Sequence, residues 1–584
     1  MDTLLISINS KYSHTGLAVR YLEAAIRRAE GSCQVLECTI NQLPHQLLSE
    51  IYRRCARPTR LLFSTYIWNV ATIARLGPDL KAILPHCPIF CGGPEAGYDP
   101  DFLSKYPWCD GVLTGEGEIP VPLLAAGAPL PEVPGLHWRD GARVVQNGPA
   151  PVPDMDQLPF VYTADTLPRD RTLYYETSRG CPFHCHYCLS GAGGQVRFRS
   201  LEKVFAELDF FLAQRVRQVK FVDRTFNCDR ARARTIWRYL MEHDNGVTNF
   251  HFELGADLLG PEDAALLEGA RRGLFQFEIG VQSTHPATVA AVQRVHDFRA
   301  IAKAVGALLA PGNIHIHLDL IAGLPHEDLT AFSRSFDDVY RLHPHQLQLG
   351  FLKLLHGSLL RQEAEGYGIV CSEAPPYQVL RTRWLSFADL LLLEQVEDCV
   401  DTFYNCGRYR TAIGYLEQLL ESPFALYCQL AQYMQLERQK EQVSGMPAAL
   451  SKEDKWRLLL AFGTGLPGAD AARLRQCIQF DRLRQERPKK HLPFLDGGDL
   501  TPRYRQQIRD FYGDEAQVAQ YLPGHVGMHP AAIAKSVYIH VFPYPVWPDS
   551  RETAGGPVAV LFDYSRTDPD KNAIFYQIDL DESV

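Results

Sequence analysis

The chain has 584 residues, 46% hydrophobic and 22% charged, a globular balance in a chain too long for one compact core. A formal charge of −9 lacks the basic footprint of a general nucleic-acid binder. The start, MDTLLISINSKY, has no secretion-signal pattern and no apolar run nears the ~18 residues of a membrane helix, so a soluble, cytoplasmic protein is expected.

Short apolar runs at Thr3–Ile8, Cys33–Ile40, Leu61–Ile67, Ile89–Gly92 and Gly111–Thr114 alternate with helical pattern, as from Leu17 to Arg28. This predicts a Rossmann-like α/β domain over residues 1–125, with a parallel sheet covered on both faces. Ligands of such sheets lie beyond the carboxyl ends of the strands. Two glycine-rich turns fall there: Cys91-Gly92-Gly93-Pro94-Glu95 and Thr114-Gly115-Glu116-Gly117-Glu118. Residues 126–160 turn to Pro, Gly, Asp and Asn, predicting a linker with a hairpin formed by Leu136–Trp138 and Arg143–Val145.

Over 161–370, strands are predicted at Leu173–Thr177, Val219–Val222, Phe250–Leu254, Phe275–Val281, Ile314–Ile321 and Gln346–Phe351. Six strands with intervening helices suit a partial (β/α)6 barrel whose active site lies at the C-terminal strand ends. Residues 371–584 predict a mostly helical domain, with stretches at Tyr377–Val400 and Ala425–Lys440 and closing strands at Val537–Val541, Val558–Phe562 and Phe575–Ile578. It carries no catalytic signature.

Fifteen cysteines in a long chain without an export signal do not predict a disulfide framework. Cys181, Cys185 and Cys188 are bunched in one loop, Ser178-Arg179-Gly180-Cys181-Pro182-Phe183-His184-Cys185-His186-Tyr187-Cys188, directly after a strand. Three thiolates at C-x3-C-x2-C can each bind one iron of a cubane and leave the fourth iron open. The alternative is a closed structural zinc with His184 or His186 as fourth ligand. Cys228, Cys399 and Cys406 fit buried structural thiols better than further ligands.

The cysteine spacing, the aromatic Tyr187 before the last cysteine and the position after the first barrel strand resemble the radical S-adenosylmethionine (SAM) superfamily over about residues 170–360. The resemblance implies a [4Fe-4S] cluster whose open iron chelates SAM, with Tyr187 near the adenine. It also implies that Asp223 lies near the SAM amine, Glu278 and Gln282 near its ribose or methionine, and Arg294, more weakly, near its carboxylate. Asp319 is a further, weaker candidate for SAM or substrate.

A Rossmann-like domain ahead of such a barrel resembles the cobalamin-dependent branch of the superfamily. Ser64 at the end of the third strand, the Gly92-Gly93-Pro94 turn and the Gly115-Glu116 loop match positions that hold cobalamin there. The Asp-x-His-x-x-Gly motif that supplies a cobalt ligand in many cobalamin proteins is absent. His14, in Lys11-Tyr12-Ser13-His14-Thr15-Gly16, is the substitute to consider, although a capping or surface role suits it better. The implied function is reductive cleavage of SAM to a 5′-deoxyadenosyl radical, followed by methyl transfer from cobalamin to an unactivated carbon of a small-molecule or peptide substrate. The implied electron donor is a flavodoxin or ferredoxin. Cyclisation or rearrangement without methyl transfer, and a non-catalytic zinc scaffold, are the alternatives.

Overall fold

In a computed structural model, the structure describes residues 2–55, 59–191, 194–442, 450–547, 556–568 and 571–580. The chain forms two compact units, one of Met1–Ser335 with Leu349–Leu390, the other of Phe336–Gln348 with Leu391–Val584.

The first unit opens with strands β1 (Asp2–Asn9), β2 (Cys33–Thr39), β3 (Thr59–Ser64), β4 (Ile89–Gly92) and β5 (Gly111–Leu113). They pair in parallel in the order β2-β1-β3-β4-β5. Side chains of a strand alternate between faces. Leu4, Ile6, Leu61 and Phe63 therefore join one core layer, with Leu47, Ile73 and Leu80 from helices. Leu5, Leu62, Phe90 and Leu113 join the opposite layer, with Val19, Ile26 and Leu124. Both faces are covered, as the unbroken apolar runs require.

The expected hairpin is present as β6 (Leu136–Asp140) and β7 (Arg143–Gln146). It is more than part of a linker. β6 pairs antiparallel with β5 and extends the sheet to seven strands, because β5 would otherwise leave an unpaired edge.

The barrel strands are β8 (Leu173–Tyr175), β11 (Gln218–Phe221), β12 (Asn249–Leu254), β13 (Phe275–Gln282), β14 (His315–Ala322) and β15 (Gln346–Phe351); the two-residue strands β9 (Ser178–Arg179) and β10 (Arg197–Phe198) lie between the first two. They form one open sheet in the order β8-β11-β12-β13-β14-β15, a partial barrel. Phe221, Phe250, Phe252, Phe275 and Phe277 on one face of these strands are fully buried, each contributing roughly 2–3 kcal/mol by removal from water. The residues between them, Lys220, His251, Glu253, Gln276 and Glu278, are polar and point the other way.

After the barrel, the helix predicted from Tyr377 begins only at Phe387. A short antiparallel pair, β16 (Val370–Cys371) with β17 (Val379–Arg381), precedes it. Thr382 then accepts the backbone N–H of Trp384 and Leu385 on its hydroxyl, a local turn that competes with helix.

The second unit contains helices at Arg410–Glu417, Pro423–Gln442, Lys452–Thr464 and Ala471–Gln485, and an antiparallel sheet of β18 (Val537–Phe542), β19 (Val558–Thr567) and β20 (Ala573–Ile578). The ring of Phe480 packs among Phe542, Phe562 and Phe575, joining helix to sheet. Among the described residues, no helix is long and apolar enough to cross a membrane.

Candidate active site

The cysteine loop leaves β9 through Gly180, whose φ of +98° suits glycine. A Cβ there would lie 2.8 Å from the carbonyl oxygen of Gln195. Cys181 is buried beside the Thr225 hydroxyl at 3.5 Å, Cys185 is half-buried, and Cys188 is exposed, accepting the N–H of Ser190 at 3.4 Å. His186, a possible fourth zinc ligand, instead has Nδ1 2.8 Å from Glu363. His184 is exposed.

The candidate SAM residues divide. Arg294 is half-buried, and its guanidinium serves the cysteine loop. It donates to the carbonyl of Gly280, to the Tyr187 hydroxyl at 3.0 Å and to the Cys185 sulfur at 3.8 Å. Burial pushes the Cys185 thiol up, and Arg294 opposes that by favouring the thiolate. Asp223, expected at the SAM amine, is instead fully buried and holds the start of the loop. Its Oδ1 accepts from the hydroxyls of Thr177 and Ser178, both at 2.6 Å, and its Oδ2 from the N–H of Thr177 at 2.9 Å. Gln282 ends β13 with φ +70°, and its buried Oε1 has no hydrogen-bond partner among the described residues, so it is an acceptor available to a bound group.

Glu278 sits mid-strand in a polar cluster with Lys220 (2.9 Å), His251 (3.0 Å), His317 and Asp319. Burial alone would raise its pKa, but His251 and Lys220 hold it well below the usual carboxylate range. The sequence reading named Glu278 and Asp319 singly and missed Lys220, His251, Glu253 and His317. The period-two alternation of polar residues with Phe, Ile and Leu in four successive strands was the available signal.

The cobalamin candidates line a cavity of about 750 Å³ within the first unit. Ser64, Gly92, Gly93, Gly115, Glu116 and His14 face it from the sheet domain. Tyr174, Glu176, Arg179, Lys220, Arg224 and Glu253 face it from the barrel. Gly93 has φ +102°, and a Cβ there would meet the Thr65 carbonyl at 2.6 Å, so the turn admits only glycine beside the cavity. Pro94 begins the short helical turn Pro94–Gly97 and does not line the cavity; the adjacent Glu95 is buried and accepts from the Tyr377 hydroxyl. His14 lines the cavity with Nδ1 3.2 Å from the Ser10 hydroxyl. Burial, with the nearby charges of Lys11 and Lys220, lowers its pKa.

Arg179, two residues before Cys181, ties the two walls together. Its three nitrogens donate to Glu176 (2.9 Å), Glu116 (2.6 Å) and Glu118 (2.6 Å), and Arg197 pairs with the other oxygen of Glu116. The loop expected to hold cobalamin is thereby pinned to the loop expected to hold the cluster. Two further aromatic groups line the cavity unforeseen: Tyr66 and Trp68, stacked at 4.3 Å.

Comparison with known proteins agrees with this two-walled cavity. Residues 3–125 match the B12 binding domain, 175–339 the Radical SAM superfamily, and 365–562 a protein family of unknown function, DUF4080. The chain therefore carries a B12 binding domain followed by a Radical SAM domain. The cofactors that these two domains imply are cobalamin, SAM and a [4Fe-4S] cluster. An uncharacterized methyltransferase of Pyrococcus horikoshii is 30% identical over 29% of this chain and 39% of its own. The cobalamin-dependent radical SAM methyltransferase TokK of Streptomyces tokunonensis is 24% identical over 53% of this chain and 50% of its own. The chain thus spans half or less of the length of these two relatives. The structure of TsrM from Kitasatospora setae, with cobalamin and a [4Fe-4S] cluster bound, superposes with a TM-score of 0.56 at 16% identity, covering 82% of this chain and 99% of that one. The fold is therefore shared with TsrM.

Proposed function

We propose that this protein is a cobalamin-dependent radical SAM methyltransferase that methylates an unactivated carbon of a small-molecule or peptide substrate. The observation that carries the reading is the single cavity bounded by Gly92, Gly93 and Glu116 on one side and by Arg179, Gly180 and Lys220 on the other. When bound, the cluster supplies the electron that cleaves SAM and cobalamin supplies the methyl group. Cys181, Cys185 and Cys188 would hold the cluster, and Arg294, through Tyr187 and Cys185, would fix the loop and favour the thiolate. Gln282 Oε1 would accept a hydrogen bond from SAM, since it has no partner among the described residues. Ser64, Gly92, Gly93, Gly115 and Glu116 would border cobalamin. Arg179 and its three carboxylates would close one side of the cavity against water, which radical chemistry requires. A flavodoxin or ferredoxin would deliver electrons.

The test uses anaerobically purified protein reconstituted with iron, sulfide and cobalamin, reduced in the presence of SAM. Release of 5′-deoxyadenosine by the wild type, and its loss in Cys181→Ala, Cys185→Ala and Cys188→Ala, is expected. Isotope-labelled methyl groups from SAM should then appear in a product. Cleavage with cobalamin bound but no methyl transfer to any accepted substrate would replace methylation with cyclisation or rearrangement. Stoichiometric zinc without iron would overturn the enzyme reading.

A further inference from the structure

The polar lining of the barrel contains a second group of metal-ligating side chains, apart from the cysteine loop. Glu278 on β13 and His317 and Asp319 on β14 each bring one ligand atom within 4.8 Å of the others. Glu278 and His317 are direct cross-strand partners, so the grouping is fixed by strand register. His251 on β12 stands alongside, with Nε2 3.0 Å from Glu278 Oε2.

Hydrogen bonding inside this group is incomplete. His317 Nε2 lies 2.8 Å from Asp319 Oδ1, yet neither atom makes a hydrogen bond of acceptable orientation. His251 Nε2 is likewise 3.0 Å from a carboxylate oxygen, without a well-oriented hydrogen bond among the described residues. Both rings are more than nine-tenths buried, at 7% and 5% exposure. Buried polar groups ordinarily have well-formed partners, so these loosely oriented contacts leave both rings able to serve another group. Lys220 and His251 both approach Glu278 through Oε2. Two carboxylates this close repel, and the single ammonium of Lys220 offsets one of them.

We propose that Glu278, His317 and Asp319, with His251 as a fourth donor, form a site for a divalent first-row transition-metal ion inside the barrel. Imidazole with carboxylate is a donor set for Zn²⁺, Mn²⁺ or Fe²⁺. Lys220, which pairs with Glu278, also lines the cavity, so the ion adjoins it and can receive an oxygen-bearing group of a bound molecule. The site rests on strand register and does not depend on the methyltransferase reading. Its competitor is a protonated His317: burial disfavours that charge, but Asp319 raises the pKa of the ring above its ordinary value.

The experiment titrates Mn²⁺ into the full chain carrying its oxidised, EPR-silent cluster and follows the EPR signal of free Mn²⁺. Co-purified zinc and manganese, measured by elemental analysis, plus Mn²⁺ taken up should total about one ion per chain, and added Zn²⁺ should displace the bound Mn²⁺. His317→Ala and Asp319→Asn should weaken Mn²⁺ binding about tenfold or more, with cluster iron and sulfide unchanged. Wild-type protein that holds no such ion and leaves all Mn²⁺ free overturns the site and leaves a protonated His317 as the bridge. Variants that keep their cluster and bind Mn²⁺ as tightly as wild type also overturn it. Should either variant fail to fold, the wild-type total and Glu278→Gln, read in the same way, decide.

Discussion

At the scale of single residues, the cluster loop shows how positioning differs from ligation. The three cysteines are legible in sequence because their spacing is local. Asp223 is legible as a residue but not in its role, since its partners Thr177 and Ser178 lie 45 residues or more away. If Asp223 acts as the structure suggests, Asp223→Ala leaves a buried N–H and two hydroxyls without their acceptor. Each lost partner costs about 1–3 kcal/mol, and the loop start is released. The expected outcome is a clearly lower melting temperature together with loss of cluster iron, measured by calorimetry and iron analysis. Unchanged stability and iron content, with weakened SAM binding, would instead restore Asp223 to the SAM amine.

At the scale of elements, strand existence was legible because the outer face of the barrel is an almost pure Phe, Leu and Ile layer, and period-two alternation is a short-range property. What escaped depended on partners distant in sequence. The Leu136–Asp140 hairpin strand has composition typical of a linker, and only the open edge of β5 makes it part of a sheet. Turn anchoring is of the same kind. Glu327, in the Gly323-Leu324-Pro325-His326-Glu327 turn after β14, is fully buried and accepts on Oε1 from Ser283 at 2.6 Å and Ser335 at 2.8 Å. Burial raises its pKa from 4.5 to about 7. The folded state therefore binds more protons than the unfolded state between those values, so stability falls as pH rises from about 4.5 to 7 and is flat beyond. The whole swing is on the order of 3 kcal/mol. Glu327→Gln keeps the acceptor oxygen and removes the titration. Urea midpoints at pH 5 and pH 8 should converge in the variant relative to wild type, and an unaltered difference would assign the slope to another group.

At the scale of the first unit, one guanidinium joins two domains whose likeness to known families could be read separately, but whose contact could not. Nothing in Gly115-Glu116-Gly117-Glu118 or in Arg179-Gly180-Cys181 says that they meet; charge complementarity between segments 61 to 63 residues apart is invisible without the fold. Arg179 is only 15% exposed, and Glu118 and Glu176 only 10% and 15%, so salt screens this group weakly. Arg179→Ala leaves three partly buried carboxylates facing one another, with Arg197 still pairing with Glu116. Removing one partner of a buried pair costs on the order of 3 kcal/mol. The cavity wall should open from both sides, so the variant is expected to lose cobalamin on gel filtration and to retain less iron than wild type. Arg179→Lys should fall between, because an ammonium cannot meet three carboxylates in one plane as a guanidinium does. The loss should persist at both low and high salt. If Arg179→Ala keeps cobalamin and iron at wild-type levels, the carboxylate ring is incidental, and the two walls are held by apolar packing instead.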